Sequence, residues 1–260
     1  MIPISDENPT YRTPVVTIGL LAALGVVWVF VQGAGLDAHA LAATVCNLGL
    51  VPGEITHRAR LGSAVPIGPG LLCVVDNDPI NVLTPITSMF LHGGWAHILG
   101  NGLYLWIFGN NVEDSMGRIR FLIFYTLCGL GAAAAQIAVS PASPVPMVGA
   151  SGAISGVLGA YLVLYPRVRV NVLFFFCIFV QIVAVPAYLV LLLWIGTQVL
   201  MGLPQLGGIR EVSSGVAVFA HIGGFAAGLL FVKLFENPRL VARRLAHFGA
   251  ERRRAWRRWP

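Results

Sequence analysis

Long apolar stretches separated by short polar turns dominate this sequence of 260 residues. A membrane-crossing helix needs about 20 consecutive apolar residues, because the hydrocarbon core of a bilayer is about 30 Å thick. Six stretches meet this requirement: 14–32, 88–110, 119–139, 147–165, 186–203 and 216–235. The pattern predicts an all-α fold, that of a polytopic membrane protein with a bundle of six transmembrane helices.

Two regions between the predicted spans do not have the pattern of one membrane helix. The loop 33–87 is long and rich in glycine and proline, which indicates short interfacial elements. Residues 170–185 are apolar, but together with the fifth span they are too long for one untilted helix. We interpret 170–185 as an interfacial segment or as a tilted extension of the fifth helix.

Charge supports a membrane location and gives an orientation. Only 11% of the residues are charged, whereas soluble domains carry about 25%. With six spans and a cytoplasmic N-terminus, 14 of the 17 basic residues fall on the cytoplasmic side, as the positive-inside rule requires. We therefore expect a cytoplasmic N-terminus (1–13), a membrane domain (14–235) and a basic cytoplasmic tail (236–260). The tail is expected to face anionic lipid, not nucleic acid.

Cysteine usage leaves one question open in the outer loop. Cys46 and Cys73 share the loop 33–87 and are able to pair if that loop faces an oxidising compartment. Spacing alone does not decide between a disulfide and two free thiols, because pairing depends on geometry. Cys128 and Cys177 lie in apolar runs and are interpreted as packing residues.

A GxSG sequence opens the fourth predicted span, with Gly149, Ser151 and Gly152 as its fixed positions. Glycines beside a nucleophilic serine let the backbone turn sharply and let a substrate carbonyl approach. Small residues also allow membrane helices to pack closely, and taken alone the motif favours this structural interpretation.

Histidines supply the other candidate chemistry. His221 is the one ionisable residue between positions 212 and 231, and an ionisable group in a span is a functional candidate. Gly224 and Gly228 behind it form a GxxxG spacing that allows a neighbouring helix to come close. A histidine that only forms hydrogen bonds within the bundle remains the alternative.

The second predicted span carries His97 and Asn101, four residues apart and therefore on one helical face. Together they offer two side-chain N–H donors to one point, as an oxyanion requires. His92 lies nearer the outer boundary, where a histidine that simply faces water is an equal alternative.

Topology brings these candidates together. Spans two, four and six all run inward, and Ser151, His221 and His97 then lie roughly 5 to 15 Å below the outer surface. These spans contain no acidic residue, so the arrangement predicts a Ser–His dyad, with His221 as the general base. Such a dyad needs no cofactor and no metal, and we expect none.

The motifs together resemble those of the rhomboid family of intramembrane serine proteases. The matching residues extend over about 80–235 and comprise His92, His97 to Asn101, Gly149 to Gly152, Ala220 to Gly224, Gly228, and the Glu113-xxx-Gly117 element. The resemblance implies a rhomboid-like bundle of six helices with a water-filled cavity open to the outer face. It also implies that Ser151 is the nucleophile and His221 the base. The oxyanion donors would be His97, Asn101 and the Ser151 N–H.

The same resemblance implies single-span membrane proteins as substrates, cut in the outer part of their transmembrane segment. We expect an integral protein of a bacterial inner (plasma) membrane with both termini cytoplasmic. Two positions depart from the family pattern. Many members have a Trp-Arg pair in the first loop ahead of the second span, and the corresponding region here reads Leu83-Thr84-Pro85. Many members also carry an aromatic residue four positions after the nucleophile, and here it is Ser155. His221 is then either held differently or hydrogen-bonded by Ser155.

Other functions leave different signatures. A catalytically inactive relative that escorts membrane proteins is expected to have lost Ser151 or His221, and both are present. A metal-dependent protease or a metal transporter is disfavoured, because no HExxH sequence and no acidic residue accompany the histidines. An aspartyl protease is excluded because no predicted span contains an aspartate.

Overall fold

The computed structural model of the protein describes residues 2–68, 70–176, 179–206 and 217–256. Most of these residues are helical, and the long helices surround one buried apolar core. The helices in chain order are α1 (Val15–Val26), α2 (Ala38–Leu48), α3 (Pro52–Ile55), α4 (Thr84–Thr87), α5 (Trp95–Tyr104), α6 (Asn110–Met116), α7 (Arg118–Val139), α8 (Ser151–Leu164), α9 (Ala187–Leu206), α10 (Val218–Phe235) and α11 (Pro238–Trp256).

Three helices among the described residues are long and apolar enough to cross a membrane: 118–139, 187–204 and 218–235. Shorter apolar helices cover Val15–Val31, where α1 continues as a π-helical turn, as well as Ala38–Leu48 and Ser151–Leu164. The structure therefore has a helical membrane bundle of the predicted kind, and the count of six spans stays a prediction.

The second predicted span begins later than the sequence suggested. Residues 88–90 form a single 3-10 turn, residues 91–94 are not helical, and α5 begins at Trp95. The glycines at 93 and 94 explain the late start, since glycine disfavours a helix interior. Helical structure then continues without a break through a π-helical turn (Leu105–Gly109) into α6.

The centre of the bundle is formed by α7, α8 and α10. Their facing sides are lined with small residues and with large buried side chains, including Phe124, Leu158 and Phe225. Of these helices, α8 is the most enclosed, because all ten residues from Gly152 to Tyr161 are buried. Its first residue, Ser151, therefore lies at the edge of the core, and the buried helix that follows fixes its position.

Two small antiparallel sheets accompany the helices in the part of the chain that the structure describes. One has the strand order β1 (Ile2–Asp6), β4 (Arg169–Phe176), β5 (Phe179–Pro186), and the other pairs β2 (Ala64–Gly68) with β3 (Leu71–Val74). In β4, Val170 and Val172 point into the core while Asn171 between them bonds Ser5 of β1, the two-residue alternation of a strand. The helical extension considered for 170–185 is therefore wrong, because β-branched and aromatic residues form a hairpin there.

The outer loop 33–87 is built from short elements: two 3-10 turns (Gly33–Gly35 and Pro79–Leu83), α2, α3, the β2–β3 hairpin and α4. A disulfide joins Cys46 of α2 to Cys73 of β3, with their Cα atoms 5.2 Å apart. The loop is anchored next to the start of α8 by a two-way backbone pairing of Leu50 with Met147. The question left open by the cysteine spacing is thus answered in favour of pairing.

A polar cluster joins both ends of the chain to the bundle. Asp114 of α6 forms ion pairs with Arg12 (3.1 Å) and with Arg244 of α11 (3.5 Å). Arg244 is 7% exposed and also donates to Asn111 Oδ1 (3.0 Å) and to Tyr165. Because this guanidinium pairs with Asp114 and donates to Asn111, both buried residues of α6, it holds α11 against α6.

Candidate active site

Ser151 is the first residue of α8, and two residues before it stands a glycine that no other residue could replace without strain. Gly149 has φ +127, in the region that favours glycine, and its N–H donates to the Ser88 carbonyl oxygen at 2.8 Å. A Cβ at Gly149 would lie 2.6 Å from Nε2 of His97. The glycine therefore sets both the turn into α8 and the approach of an imidazole to the serine.

His221 lies in the first turn of α10, 70 residues after the serine. Its Nε2 lies 2.8 Å from Oγ of Ser151, which is the distance of a good hydrogen bond. Both side chains are only partly buried, so the pair is accessible from the cavity beside it. The two residues singled out in the sequence thus form the nucleophile–base geometry that serine catalysis requires.

Glycines make this contact possible by bringing α8 and α10 almost backbone to backbone. A Cβ at Gly224 would lie 2.0 Å from the Gly152 carbonyl oxygen, and one at Gly228 would lie 2.0 Å from that of Gly156. On its other side Gly152 faces α7, where an added Cβ would lie 2.6 Å from Cβ of Ala132. The serine and the histidine therefore depend on a three-helix contact that tolerates no side chain larger than hydrogen at these points.

The structure brings His97 and Asn101 into the same cavity as Ser151. Nδ1 of His97 accepts a hydrogen bond from the Gly93 N–H (3.3 Å), so the proton of the neutral ring lies on Nε2, on the side of Gly149. Asn101 is 7% exposed, and its Nδ2 has no hydrogen-bond partner. A buried donor without a partner is costly, which is consistent with a group reserved for an acceptor brought by a ligand.

A cavity of about 480 Å³ connects these groups. Its walls are largely apolar, and its polar groups are concentrated near Ser151, as in sites that orient a ligand by a few contacts. The cavity lining also includes Met89, Tyr104, Met147, Val148, Ile154, Leu158 and Trp194.

His92 lies behind this cavity and does not face water. Its side chain is 0% exposed, so the water-facing alternative is wrong. The Gln32 side chain brackets its backbone, accepting from the His92 N–H and donating to the His92 carbonyl oxygen, both at 2.8 Å. Its ring packs edge-on against that of His97, with centroids 5.0 Å apart. His92 therefore supports the orientation of His97.

Ser155 does not hold the histidine. Its hydroxyl donates to the Ser151 carbonyl oxygen one turn earlier in α8 (2.6 Å). Instead, two residues of α9 contact His221: Gln198, whose Oε1 lies 2.8 Å from Nδ1, and Trp194, whose ring centroid lies 5.8 Å from that of the imidazole. Sequence reasoning missed both, although a glutamine one turn after a tryptophan in an apolar helix was a visible signal.

The Glu113-xxx-Gly117 element acts at the other end of the bundle. The buried Glu113 carboxylate accepts hydrogen bonds from the N–H groups of Val16 (3.0 Å) and Thr17 (2.8 Å), capping the start of α1. Gly117, with φ +86, makes the turn from α6 into α7. The element therefore positions helices and lies away from the serine.

Comparison with known proteins places these features in one family. The Rhomboid domain matches residues 80–237, more than half of the chain. Rhomboid protease GluP of Bacillus subtilis is 46% identical over 81 residues, 31% of this chain and 15% of that protein. RHOMBOID-like protein 4 of Arabidopsis thaliana is 34% identical over 145 residues, 56% of this chain and 32% of that protein.

A third relative, Rhomboid-like protease 5 of Toxoplasma gondii, is 33% identical over 154 residues, 56% of this chain and 15% of that protein. The chain thus spans less than a third of the length of each of these three relatives. The match covers every catalytic candidate, from His92 to Gly228, together with the three helices able to cross a membrane. The chain is therefore an integral membrane protein that belongs to the rhomboid family.

Proposed function

We propose that the protein is an intramembrane serine endopeptidase that hydrolyses peptide bonds in the transmembrane segments of other membrane proteins, near the outer face. The observation that carries this proposal is the 2.8 Å contact between Ser151 Oγ and His221 Nε2 beside an apolar cavity of about 480 Å³. Two of the relatives named above are described as rhomboid proteases, which supports the same activity.

The first chemical step is acylation of the serine. Oγ of Ser151 attacks the carbonyl carbon of the scissile peptide while its proton passes to Nε2 of His221. The tetrahedral intermediate then collapses, the C–N bond breaks, and the imidazolium returns the proton to the departing amine. Water deprotonated by the same Nε2 hydrolyses the acyl-enzyme and regenerates both groups.

The negative oxygen of the intermediate needs donors that are already in place. Three are available in the cavity: the His97 Nε2–H, the unpartnered Asn101 Nδ2 and the Ser151 backbone N–H. The last lies at the start of α8, where N–H groups have no partner within the helix and favour an anion. None of these roles requires a cofactor.

The site's position supports cleavage at the outer face. His97, Ser151 and His221 each lie in the first turn of their helices, on the side of the loop 33–87. That loop carries the Cys46–Cys73 disulfide, and disulfides persist in oxidising compartments outside the cytosol. The chain ends meet at the Asp114 cluster and carry most of the basic residues, which supports a cytoplasmic location for both termini.

We further propose six spans within residues 14–235, a lipid-facing basic tail at 236–260, and residence in a bacterial inner (plasma) membrane. The proposed substrate is a single-span protein with helix-breaking residues in the outer part of its transmembrane segment. Such residues lower the cost of unwinding the helix so that a peptide bond reaches Ser151.

The decisive experiment follows cleavage of such a substrate in proteoliposomes by the wild type, Ser151→Ala and the control Ser140→Ala. Ser140 follows α7 in the loop before α8 and takes no part in the site. We expect cleavage by the wild type and the control and none by Ser151→Ala, with equal thermal stability. Undiminished cleavage by Ser151→Ala would sink the mechanism, and a wild type that binds the substrate without cutting it would favour the escort function.

A further inference from the structure

His221 is held through both of its ring nitrogens, by two different helices. Nε2 contacts the Ser151 hydroxyl, and Nδ1 lies 2.8 Å from Oε1 of Gln198, 23 residues earlier on α9. Gln198 is half-buried, with its amide turned toward the imidazole and not into lipid. The hydrolytic cycle described above uses only Nε2, so the contact at Nδ1 has a separate role.

The chemistry of an amide fixes what this contact does. A carbonyl oxygen only accepts hydrogen bonds, so Nδ1 must carry the proton that lies between it and Oε1 of Gln198. A neutral imidazole has one such proton, and Nε2 is therefore left with the lone pair that faces Ser151. The reverse amide orientation would donate to Nδ1 and move the ring proton to Nε2, where no base would remain for the serine.

The ring plane of His221 is restrained from the same helix. Trp194 lies four residues before Gln198, so both side chains project from one face of α9. The tryptophan ring packs against the imidazole at a tilt of 45° and also contacts Phe225 of α10. Since Ser155 bonds its own helix, α9 supplies the packing that α8 does not.

Within the described part of the chain, no charged side chain holds Nδ1 of His221 in the way that an acidic residue does in a catalytic triad. The cavity lining contains no Asp, Glu, Lys or Arg. Its titratable groups besides His221 are His97, which interacts electrostatically with His221, and Tyr104. An aspartate in a catalytic triad holds the histidine in the correct tautomer and orientation. Here the same two tasks fall to an uncharged amide.

We propose that Gln198 is a positioning residue that fixes the tautomer and orientation of His221 from α9, as the third member of the catalytic group. The inference rests on the proposed peptidase function and assigns no contact between Gln198 and the substrate. It converts the Ser–His dyad expected from the sequence into a Ser–His–Gln arrangement spread over α8, α10 and α9.

Two substitutions test it with opposite chemistry. Gln198→Leu keeps the approximate size of the side chain and removes the hydrogen-bond acceptor. We expect kcat to fall about 10- to 100-fold with KM nearly unchanged, because part of the rate contribution of a positioned general base is lost. Gln198→Glu keeps an acceptor and adds a negative charge that stabilises the imidazolium. We expect it to stay active and to move the acidic limb of the kcat/KM pH profile to higher pH.

The matched control is Thr197→Val. Thr197 is the neighbouring polar residue on α9, is exposed, and donates its hydroxyl to the Trp194 carbonyl oxygen (2.6 Å). It should leave kcat, KM and the pH profile at wild-type values. Thermal unfolding of each variant in detergent separates loss of fold from loss of base orientation.

The outcomes separate a failure of the role proposed for Gln198 from a failure of the proposed peptidase function. If Ser151→Ala retains cleavage, the peptidase mechanism itself fails. If Ser151→Ala is inactive while Gln198→Leu is folded and keeps wild-type kcat, only the role of Gln198 is overturned. If Gln198→Leu does not fold, Gln198→Glu decides: a shifted pH profile supports the role, and an unshifted one overturns it.

Discussion

Replacement of Gly224 by alanine should separate the catalytic pair without touching either member. Gly224 lies three residues after His221 on α10, and it faces Gly152, the residue after Ser151 on α8. The added Cβ would lie 2.0 Å from the Gly152 carbonyl oxygen and 2.9 Å from its carbonyl carbon. Both atoms belong to the backbone of an enclosed helix, so no side chain can turn away to make room.

The size of the displacement follows from ordinary contact distances. Non-bonded carbon atoms prefer separations of about 3.5–4.0 Å, so the two helices must move apart by roughly 1 Å or more. The Ser151–His221 contact of 2.8 Å would lengthen beyond a useful hydrogen bond. A misplacement of about 1 Å costs roughly 10²-fold in rate, and overpacking of this kind costs about 1–3 kcal/mol of stability.

The assay compares kcat for a transmembrane substrate and thermal unfolding in the wild type, Gly224→Ala and Gly196→Ala. Gly196 is the matched control, because it lies in α9 and an added Cβ would meet nothing within 4 Å. We expect a large fall in kcat and a lower Tm for Gly224→Ala and near wild-type values for the control. A folded Gly224→Ala variant with wild-type kcat would refute the argument that this glycine contact sets the catalytic distance.

Two further substitutions probe the oxyanion donors and the end of the bundle that carries the chain termini. Asn101→Ala removes the unpartnered Nδ2 donor and should lower kcat about 10²–10³-fold with little change in KM; a change in KM alone would contradict the assignment. Burial raises the pKa of Asp6 to about 6 from 3.8, although Tyr161 donates to its carboxylate at 2.5 Å. The folded protein then holds this proton more tightly than the unfolded chain, so stability falls as pH rises from about 4 to 6. Asp6→Asn removes the buried charge, which should stabilise the fold at pH 8 by about 1 kcal/mol after solvent screening and raise Tm by a few degrees. At pH 3.5, where Asp6 is protonated in both states, Tm should be unchanged. Equal effects at both pH values would contradict this explanation.

The contact between Ser151 and His221 was predictable from the sequence, because each residue is unusual in a membrane span. A lone histidine in an apolar span is costly, and a serine set between glycines at the start of a span is a recognisable turn. The match in depth between Ser151 and His221 followed from counting spans and basic residues. The prediction needed no knowledge of side-chain packing.

The supporting residues were harder to predict, since their roles depend on contacts between distant segments. The sequence shows a glutamine at position 198 in an apolar helix, but it does not show that this side chain reaches His221. Nor does it show that Gln32 brackets the backbone of His92 from 60 residues away. The burial of His92 was missed for the same reason: its neighbours in the sequence resemble a membrane boundary, whereas its neighbours in space are Gln32 and His97.

The largest error in the fold concerned 170–185, and its cause is also long-range. A continuous apolar run of this kind is ambiguous between helix and buried strand. The hairpin partner of β4, β5, is local, but its other neighbour is β1 (Ile2–Asp6), near the N-terminus. Without that partner the two-residue alternation at Val170 and Val172 is too short to recognise.

The central claim is that His221 activates Ser151, and covalent labelling tests it without any assumption about the natural substrate. A fluorophosphonate probe should modify the wild type at Ser151, with the adduct located by peptide mass spectrometry. Labelling should be absent in Ser151→Ala and strongly reduced in a folded His221→Ala variant, because the base 2.8 Å away has been removed. Labelling of His221→Ala at the wild-type rate, or modification of a different residue, would contradict the account.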